Sequence, residues 1–279
     1  FGASISCYYE IDYWRGLVET GTMPMPFDSS SEGARSLRYK LEYLKSRKID
    51  IRNALIVIDP MTIEGDITGG NIMSADPPGT AGWWTWPVWH ARFFKAFYDP
   101  DFLASYIPSQ LAGTRCRYGL HEIFDRQPSV YDMYRNEESI PEWDEDIRQS
   151  PDAFYARRAF PGSRVPHCSN PCRIDRVRER EYRRVAQLLE GSDYHVVASP
   201  TLRCDTLSGR DAGLLAEIFG TGRFHDFTAR MSHVAMQDTN WYDTRHYRAP
   251  VARAIMDAVY RGAENSVVCP VCPMARQER

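Results

Sequence analysis

The chain has 279 residues, of which 34 are basic and 37 acidic, for a formal net charge of −3. That balance gives no long-range electrostatic case for a nucleic acid or an anionic membrane surface as partner. Hydrophobic residues make up 43% and charged residues 25%, as in an ordinary globular fold with a sizeable core, and no apolar run approaches the roughly 20 residues of a membrane-spanning helix.

Along the chain, Ser36 to Arg47 predicts an amphipathic helix. Leu37, Leu41 and Leu44 share one face, and Arg38, Glu42 and Lys45 the other. Asn53-Ala-Leu-Ile-Val-Ile-Asp59-Pro60 is a continuous apolar run closed by a turn, the pattern of a strand buried on both faces of a parallel sheet. From Met61 to Cys172 the periodicity is poor and Pro, Gly and aromatic residues are frequent, which predicts a large insertion, a candidate cap over a site. Within it Trp83, Trp84, Trp86, Trp89, Phe93, Phe94, Phe97 and Tyr98 crowd one segment. At i, i+3, i+4 spacing, Trp86, Trp89, Phe93 and Phe97 read first as a buried helix stripe. Contact with sugar rings or an acyl chain is the second reading.

Regular grammar then returns. Arg173 to Glu190 predicts a helix with Val177, Tyr182, Val185, Leu188 and Leu189 as its apolar set and Gly191 as its stop. Its arginines alternate with Asp175, Glu179 and Glu181, as on a solvated face. Tyr194 to Pro200 predicts a second buried strand, Asp211 to Phe219 a helix ended by Gly220, and Arg223 to Phe227 a short strand. Pro250 opens and Gly262 closes a last helix with Val251, Ile255 and Val259 as its stripe. Alternating strands and helices at both ends argue for one α/β domain over residues 1–279 with a parallel sheet, an insertion at about 61–172 and a flexible tail at 263–279.

Seven cysteines are too few and too scattered for a small disulfide scaffold. The pairs Cys168/Cys172 and Cys269/Cys272 are read as a disulfide or free thiols rather than as one joint zinc site, and no metal or other cofactor is expected.

Two motifs carry chemistry. In Phe1-Gly-Ala-Ser4, small residues at a strand end let the backbone turn sharply and leave a hydroxyl exposed, and a following helix would offer N–H donors to an oxyanion. In Trp241-Tyr-Asp243-Thr-Arg-His246-Tyr-Arg, the imidazole can take and return a proton near neutral pH, and a carboxylate three residues earlier can fix its tautomer. One motif ends the first strand and the other precedes the last helix, so both fall at the carboxyl edge of an α/β sheet, where such folds place their sites. His90, beside the aromatic segment, reads as a polar edge residue rather than a second base, and His121, His167, His195, His225 and His233 have no partner at motif spacing. His195, inside an apolar strand, reads as a hydrogen-bonded structural residue.

With these residues the chain resembles the SGNH/GDSL hydrolase superfamily, in particular its bacterial, envelope-associated members. Gly2-Ala-Ser4 is similar to the nucleophile block, and Asp243-Thr-Arg-His246 to the terminal Asp-x-x-His block. Ser36 to Leu44 leading into Ala54 to Pro60, and Leu215 to Gly220 leading into His225 to Phe227, look like the flanking helix–strand text. The resemblance covers roughly residues 1–60 and 173–262. It implies a flavodoxin-like three-layer α/β/α sandwich, a Ser4–His246–Asp243 triad and ester or acyl chemistry, commonly on carbohydrate.

Two departures stand out. Ala3 replaces the Asp of the nucleophile block, and Asp59 stands where an Asn block would supply an oxyanion donor. Gly33, Asp59 and Asn71 are the candidate oxyanion or substrate residues. The expected activity is an esterase on a small-molecule or glycan acyl ester. An O-acyltransferase with the same triad and a catalytically silent polysaccharide binder are the alternatives, and the zinc module on the cysteine pairs is a further rival. The sequence opens at Phe1, directly ahead of the serine motif, so an upstream strand, anchor or leader is an expectation. Compartment, cytoplasm or cell envelope, and oligomeric state stay open.

Overall fold

The computed structural model describes residues 1–18, 24–28, 32–64, 83–100, 102–104, 106–107, 130–132, 137–157, 173–202, 206–228 and 234–262. Asn71, the Cys168/Cys172 and Cys269/Cys272 pairs and the 263–279 tail lie outside them.

A mixed α/β architecture is built on a parallel three-stranded sheet. Its strands are β1 (Asn53–Ile58), β4 (Asp193–Ala198) and β5 (Phe224–Asp226), in that spatial order. The register runs from Asn53 opposite Asp193 to Ile58 opposite Ala198, and Val196 faces Phe224. The strand period of two sends alternate side chains to opposite faces. Ala54, Ile56 and Ile58 enter one core with Leu37 and Leu41 of α2 (Ala34–Ser46), Tyr182, Val185 and Leu188 of α7 (Arg176–Leu188), and Leu215 and Phe219 of α8 (Gly209–Phe219). Leu55 and Val57 enter a second core with Ile5 and Tyr9 near the N-terminus and Val251, Ile255, Met256 and Val259 of α9 (Ala249–Arg261). The strands are thus covered on both faces, which is why they read as unbroken apolar runs. The Asp175 side chain caps α7 by accepting from the Val177 and Arg178 amides. Gly262 ends α9 in the left-handed region at φ 62°, where a side chain is disfavoured.

The sheet is prolonged by single-residue bridges. Phe1 N donates to Leu55 O at 2.9 Å and Val57 N to Phe1 O at 2.9 Å, and Gly2 is in parallel register with Val57 on one side and with Asp28 on the other. Gly2 is needed here for close approach: a Cβ would lie 2.7 Å from Val57 O and 2.8 Å from Ser6 Cβ. Directly after it the chain coils into a 3₁₀ turn, Ser4–Tyr8, and then α1 (Ile11–Arg15).

Part of the insertion folds against this edge. The described elements of this region are α3 (Pro60–Glu64), α4 (Thr85–Phe97), the antiparallel pair β2 (Val130–Asp132) and β3 (Glu137–Ser139), and helices α5 (Pro141–Gln149) and α6 (Pro151–Arg157). Ile140, Ile147 and Phe154 form a third, smaller core with Cys7, Tyr8 and Tyr242. The aromatic segment departs from its first reading. Helix α4 forms, but none of its residues is buried, and Trp86, Phe93 and Phe97 are exposed. Spacing at i, i+3, i+4 fixes that these rings share a face but does not fix which way that face looks.

Candidate active site

The nucleophile turn owes its shape to Gly2 and Ala3. Gly2 lies pressed on β1, and Ala3, extended at φ −75° and ψ −175°, swings the chain off the sheet into the 3₁₀ turn. The first bond of that turn is Ser6 N–H to Ala3 O at 2.8 Å. The amides of Ser4 and Ile5 precede it and have no acceptor inside the turn, as at any helix start. Ser6 Oγ also donates to Ala3 O, at 2.8 Å, and fastens the corner.

Opposite stands the loop between Asn240 and α9. Tyr242 N–H donates to His246 O at 2.8 Å, pinching residues 242–246 into a closed hairpin-like turn. Inside it one Asp243 oxygen accepts the Arg245 and His246 amides at 2.6 and 2.8 Å, and the other meets His246 Nδ1 at 2.7 Å. Nδ1 therefore carries the proton, and Nε2 presents a lone pair. That lone pair faces Ser4 Oγ at 3.2 Å. Residues 4, 246 and 243 thus form a continuous hydroxyl–imidazole–carboxylate chain across 242 positions of sequence.

The electrostatics suit proton transfer. Burial alone would lower the pKa of His246, but the Asp243 hydrogen bond and charge outweigh it and hold the imidazole above its ordinary value. Burial would raise Asp243, and the same bond, the imidazolium and the two amides bring it below the usual carboxylate range. Cys7 is no rival nucleophile. Burial and the neighbouring Glu138 push its thiol far up, and Cys7 Sγ is bonded to Ser4 O at 2.6 Å.

Supports that sequence spacing does not reveal surround this chain. Tyr8 sets its ring edge toward His246, with centroids 6.4 Å apart, and packs against Tyr242 at 5.5 Å. Asp144 of α5 accepts from Tyr242 OH at 2.9 Å and Arg248 Nε at 2.6 Å, gripping both ends of the Asp-x-x-His loop. Tyr155 OH of α6 reaches the Asp238 and Trp241 carbonyls at 2.6 and 2.9 Å. Beneath the loop, Tyr247 OH joins Tyr9 OH at 2.8 Å and Ser199 Oγ at 2.9 Å, tying together the nucleophile turn, the end of β4 and the His246 segment. The only hint in the sequence is that Tyr242 and Arg248 flank the motif.

The remaining candidates are placed as follows. Asp59 lies buried just past β1, where its charge adds to the upward pull on His246 and its carbonyl accepts from Thr62 N and Oγ1. Gly33 is the N-cap of α2, and a Cβ there would meet Thr62 O at 3.6 Å. Among the described residues no group of three or more His, Cys, Asp or Glu side chains could hold a metal ion. No family model, curated protein or solved structure matches this chain. A hydroxyl, a tautomer-fixed imidazole and a carboxylate in line can move a proton off oxygen and back.

Proposed function

We propose that the chain is an SGNH-like serine esterase, with Ser4 as nucleophile, His246 as general base and acid, and Asp243 as the group that orients and charges the imidazole. One observation carries the reading: the Ser4 Oγ–His246 Nε2–Asp243 chain, at 3.2 and 2.7 Å. The strand order supports it. With the bridges included, it runs Asp28, Gly2, β1, β4, β5, all parallel. Counted along the chain, that is the 2-1-3-4-5 order of flavodoxin-like doubly wound folds, and Ser4 stands beside its switch point.

In the first step Nε2 takes the Ser4 proton as Oγ bonds to the ester carbonyl carbon, and the Ser4 and Ile5 amides face the developing oxyanion. The tetrahedral species collapses, and His246 returns the proton to the departing alcohol. Water, deprotonated by the same nitrogen, then attacks the acyl carbon, and as the acid leaves His246 returns the proton to Ser4 Oγ. Each lost oxyanion donor costs on the order of 3 kcal/mol of barrier. An acyl ester on a carbohydrate is the substrate class the resemblance implies.

Asp59 favours a second reading, a non-catalytic glycan binder, because a carboxylate near the site repels an oxyanion. Turnover of short-chain nitrophenyl esters, abolished by Ser4→Ala, separates the two. No turnover above the Ser4→Ala background supports the binder.

A further inference from the structure

The loop that carries His246 holds two arginines with opposite fates. Arg248 is spent on structure: Nε meets an Asp144 oxygen at 2.6 Å, and a terminal nitrogen donates to Thr239 O at 2.6 Å. Arg245, directly before His246, is half-buried, and among the described residues its guanidinium forms no hydrogen bond or ion pair. The loop's own acid, Asp243, is engaged elsewhere. Its oxygens accept the Arg245 and His246 amides and meet His246 Nδ1.

A cation left in that place has a cost. An arginine that merely covers apolar surface keeps its polar head in water, whereas Arg245 Nε is shut away from solvent with no acceptor. Its charge also opposes protonation of His246, the change the base undergoes as it takes the Ser4 proton. A buried donor without a partner asks for an explanation, and an anion on the substrate supplies one. Such an anion neutralises the guanidinium and, with it, the repulsion of the forming imidazolium. The two terminal nitrogens are not shut away, so the end of the fork stays open to a carboxylate, which it fits through two parallel bonds. With no second unpaired cation in the loop, one guanidinium matches a singly charged carboxylate better than a doubly charged phosphate.

His246 returns its proton to the departing alcohol, so a group beside it on the same loop serves the alcohol side of the ester, while the Ser4 and Ile5 amides serve the acyl oxygen. We propose that Arg245 is a specificity-determining residue that selects acyl esters of alcohols bearing a carboxylate. This rests on the serine-esterase reading and narrows its substrate class.

The test compares meta-acetoxybenzoate with meta-acetoxybenzamide, esters of nearly the same shape that differ in the charge on the departing phenol. kcat/KM is read above the His246 titration in wild type, Arg245→Gln and Arg245→Lys, and the ratio of the two substrates cancels any general loss of activity. In Arg245→Gln the preference for the carboxylate should shrink about tenfold or more, as for the loss of a hydrogen-bonded charge pair. Arg245→Lys keeps the charge without the fork, so its preference should shrink severalfold, and it serves alone should the thermal midpoint show Arg245→Gln misfolded. A ratio that the substitutions leave unchanged overturns the proposal, even where both rates fall together. No turnover of either ester above the Ser4→Ala background tells against the esterase reading instead, and calorimetric titration of the two parent phenols then decides on Arg245. Tighter binding of the hydroxybenzoate than of the hydroxybenzamide by wild type, lost in Arg245→Gln, is the expected result there, and equal binding of the two overturns the proposal.

Discussion

Gly2→Ala should disable the site while leaving every proposed catalytic group in place. The added Cβ would sit 2.7 Å from Val57 O and 2.8 Å from Ser6 Cβ, whereas ordinary contact starts at 3.4 Å. Both neighbours are stiff: one is backbone in β1, and the other lies in the nucleophile turn. The turn must therefore retreat by roughly 0.6 Å. A similar displacement would stretch the 3.2 Å Ser4–His246 contact toward about 3.8 Å, past hydrogen-bond range. Misplacement by about 1 Å costs on the order of 100-fold, so kcat/KM for a nitrophenyl ester should fall roughly 10- to 30-fold. Overpacking should also cost about 1–3 kcal/mol in urea unfolding. Gly16→Ala is the matched control: its Cβ would meet Tyr13 O at 3.4 Å and Asp12 O at 3.9 Å, and its φ of −73° suits alanine. It should stay within twofold of wild type. Near-wild-type activity in fully folded Gly2→Ala would refute the claim that close approach to β1 sets the serine.

Further expectations follow from the surrounding groups. Asp144→Ala frees Tyr242 and Arg248 from the loop and should lower kcat about tenfold with little change in KM, partly restored in Asp144→Asn; steady-state kinetics read this. Because His246 must be neutral to accept a proton and is held above 6.5, half-maximal kcat/KM on the acid side should fall above pH 6.5. In Asp243→Asn the two largest upward effects on His246 are lost and burial, the largest cause, acts against the lesser pull of Asp59, so that limb should move down while the rate drops on the order of 10³- to 10⁴-fold. At the far end of the sheet His195 Nδ1 and His225 Nε2 share a bond at 3.0 Å, and burial with the neighbouring ring lowers His225 to about 4. The unfolded chain takes up this proton near pH 6.5 and the folded chain does not. Stability should thus fall as pH drops from 6.5 to 4, by about 1 kcal/mol once solvent screening of this half-buried ring is allowed for, and His225→Asn should flatten the denaturation midpoint across that window. Asp59→Asn removes the carboxylate charge near His246 and should raise turnover several-fold at constant fold; a fall would show that this carboxylate assists catalysis.

The residues that were legible share a physical trait: their partners are near in sequence or their pattern is one-sided. Strands β1 and β4 are buried on both faces, so Ala54–Ile58 and Tyr194–Ala198 show as apolar runs. The predicted helices over residues 36–47, 173–190, 211–219 and 250–262 lie within a few residues of α2, α7, α8 and α9. Asp243 and His246 could be paired from spacing because the carboxylate bonds within its own turn. Joining them to Ser4 took the alternation of strands and helices at both ends. Asp144 was invisible, because its bonds to Tyr242 and Arg248 bridge 98 and 104 residues and an acid on a surface-patterned helix carries no local sign of a partner. Tyr8 and Tyr247 carry no local sign of their partners for the same reason. The aromatic helix was found but faced the wrong way, since periodicity is blind to which side meets the core.

The central claim is a nucleophilic Ser4 activated by His246, and active-site titration with a fluorophosphonate followed by peptide mapping tests it most directly. One covalent adduct per chain on Ser4, lost in His246→Ala and slowed in Asp243→Asn, is the predicted result. Labelling of another residue, or a Ser4 no more reactive in the folded protein than in urea, would contradict it.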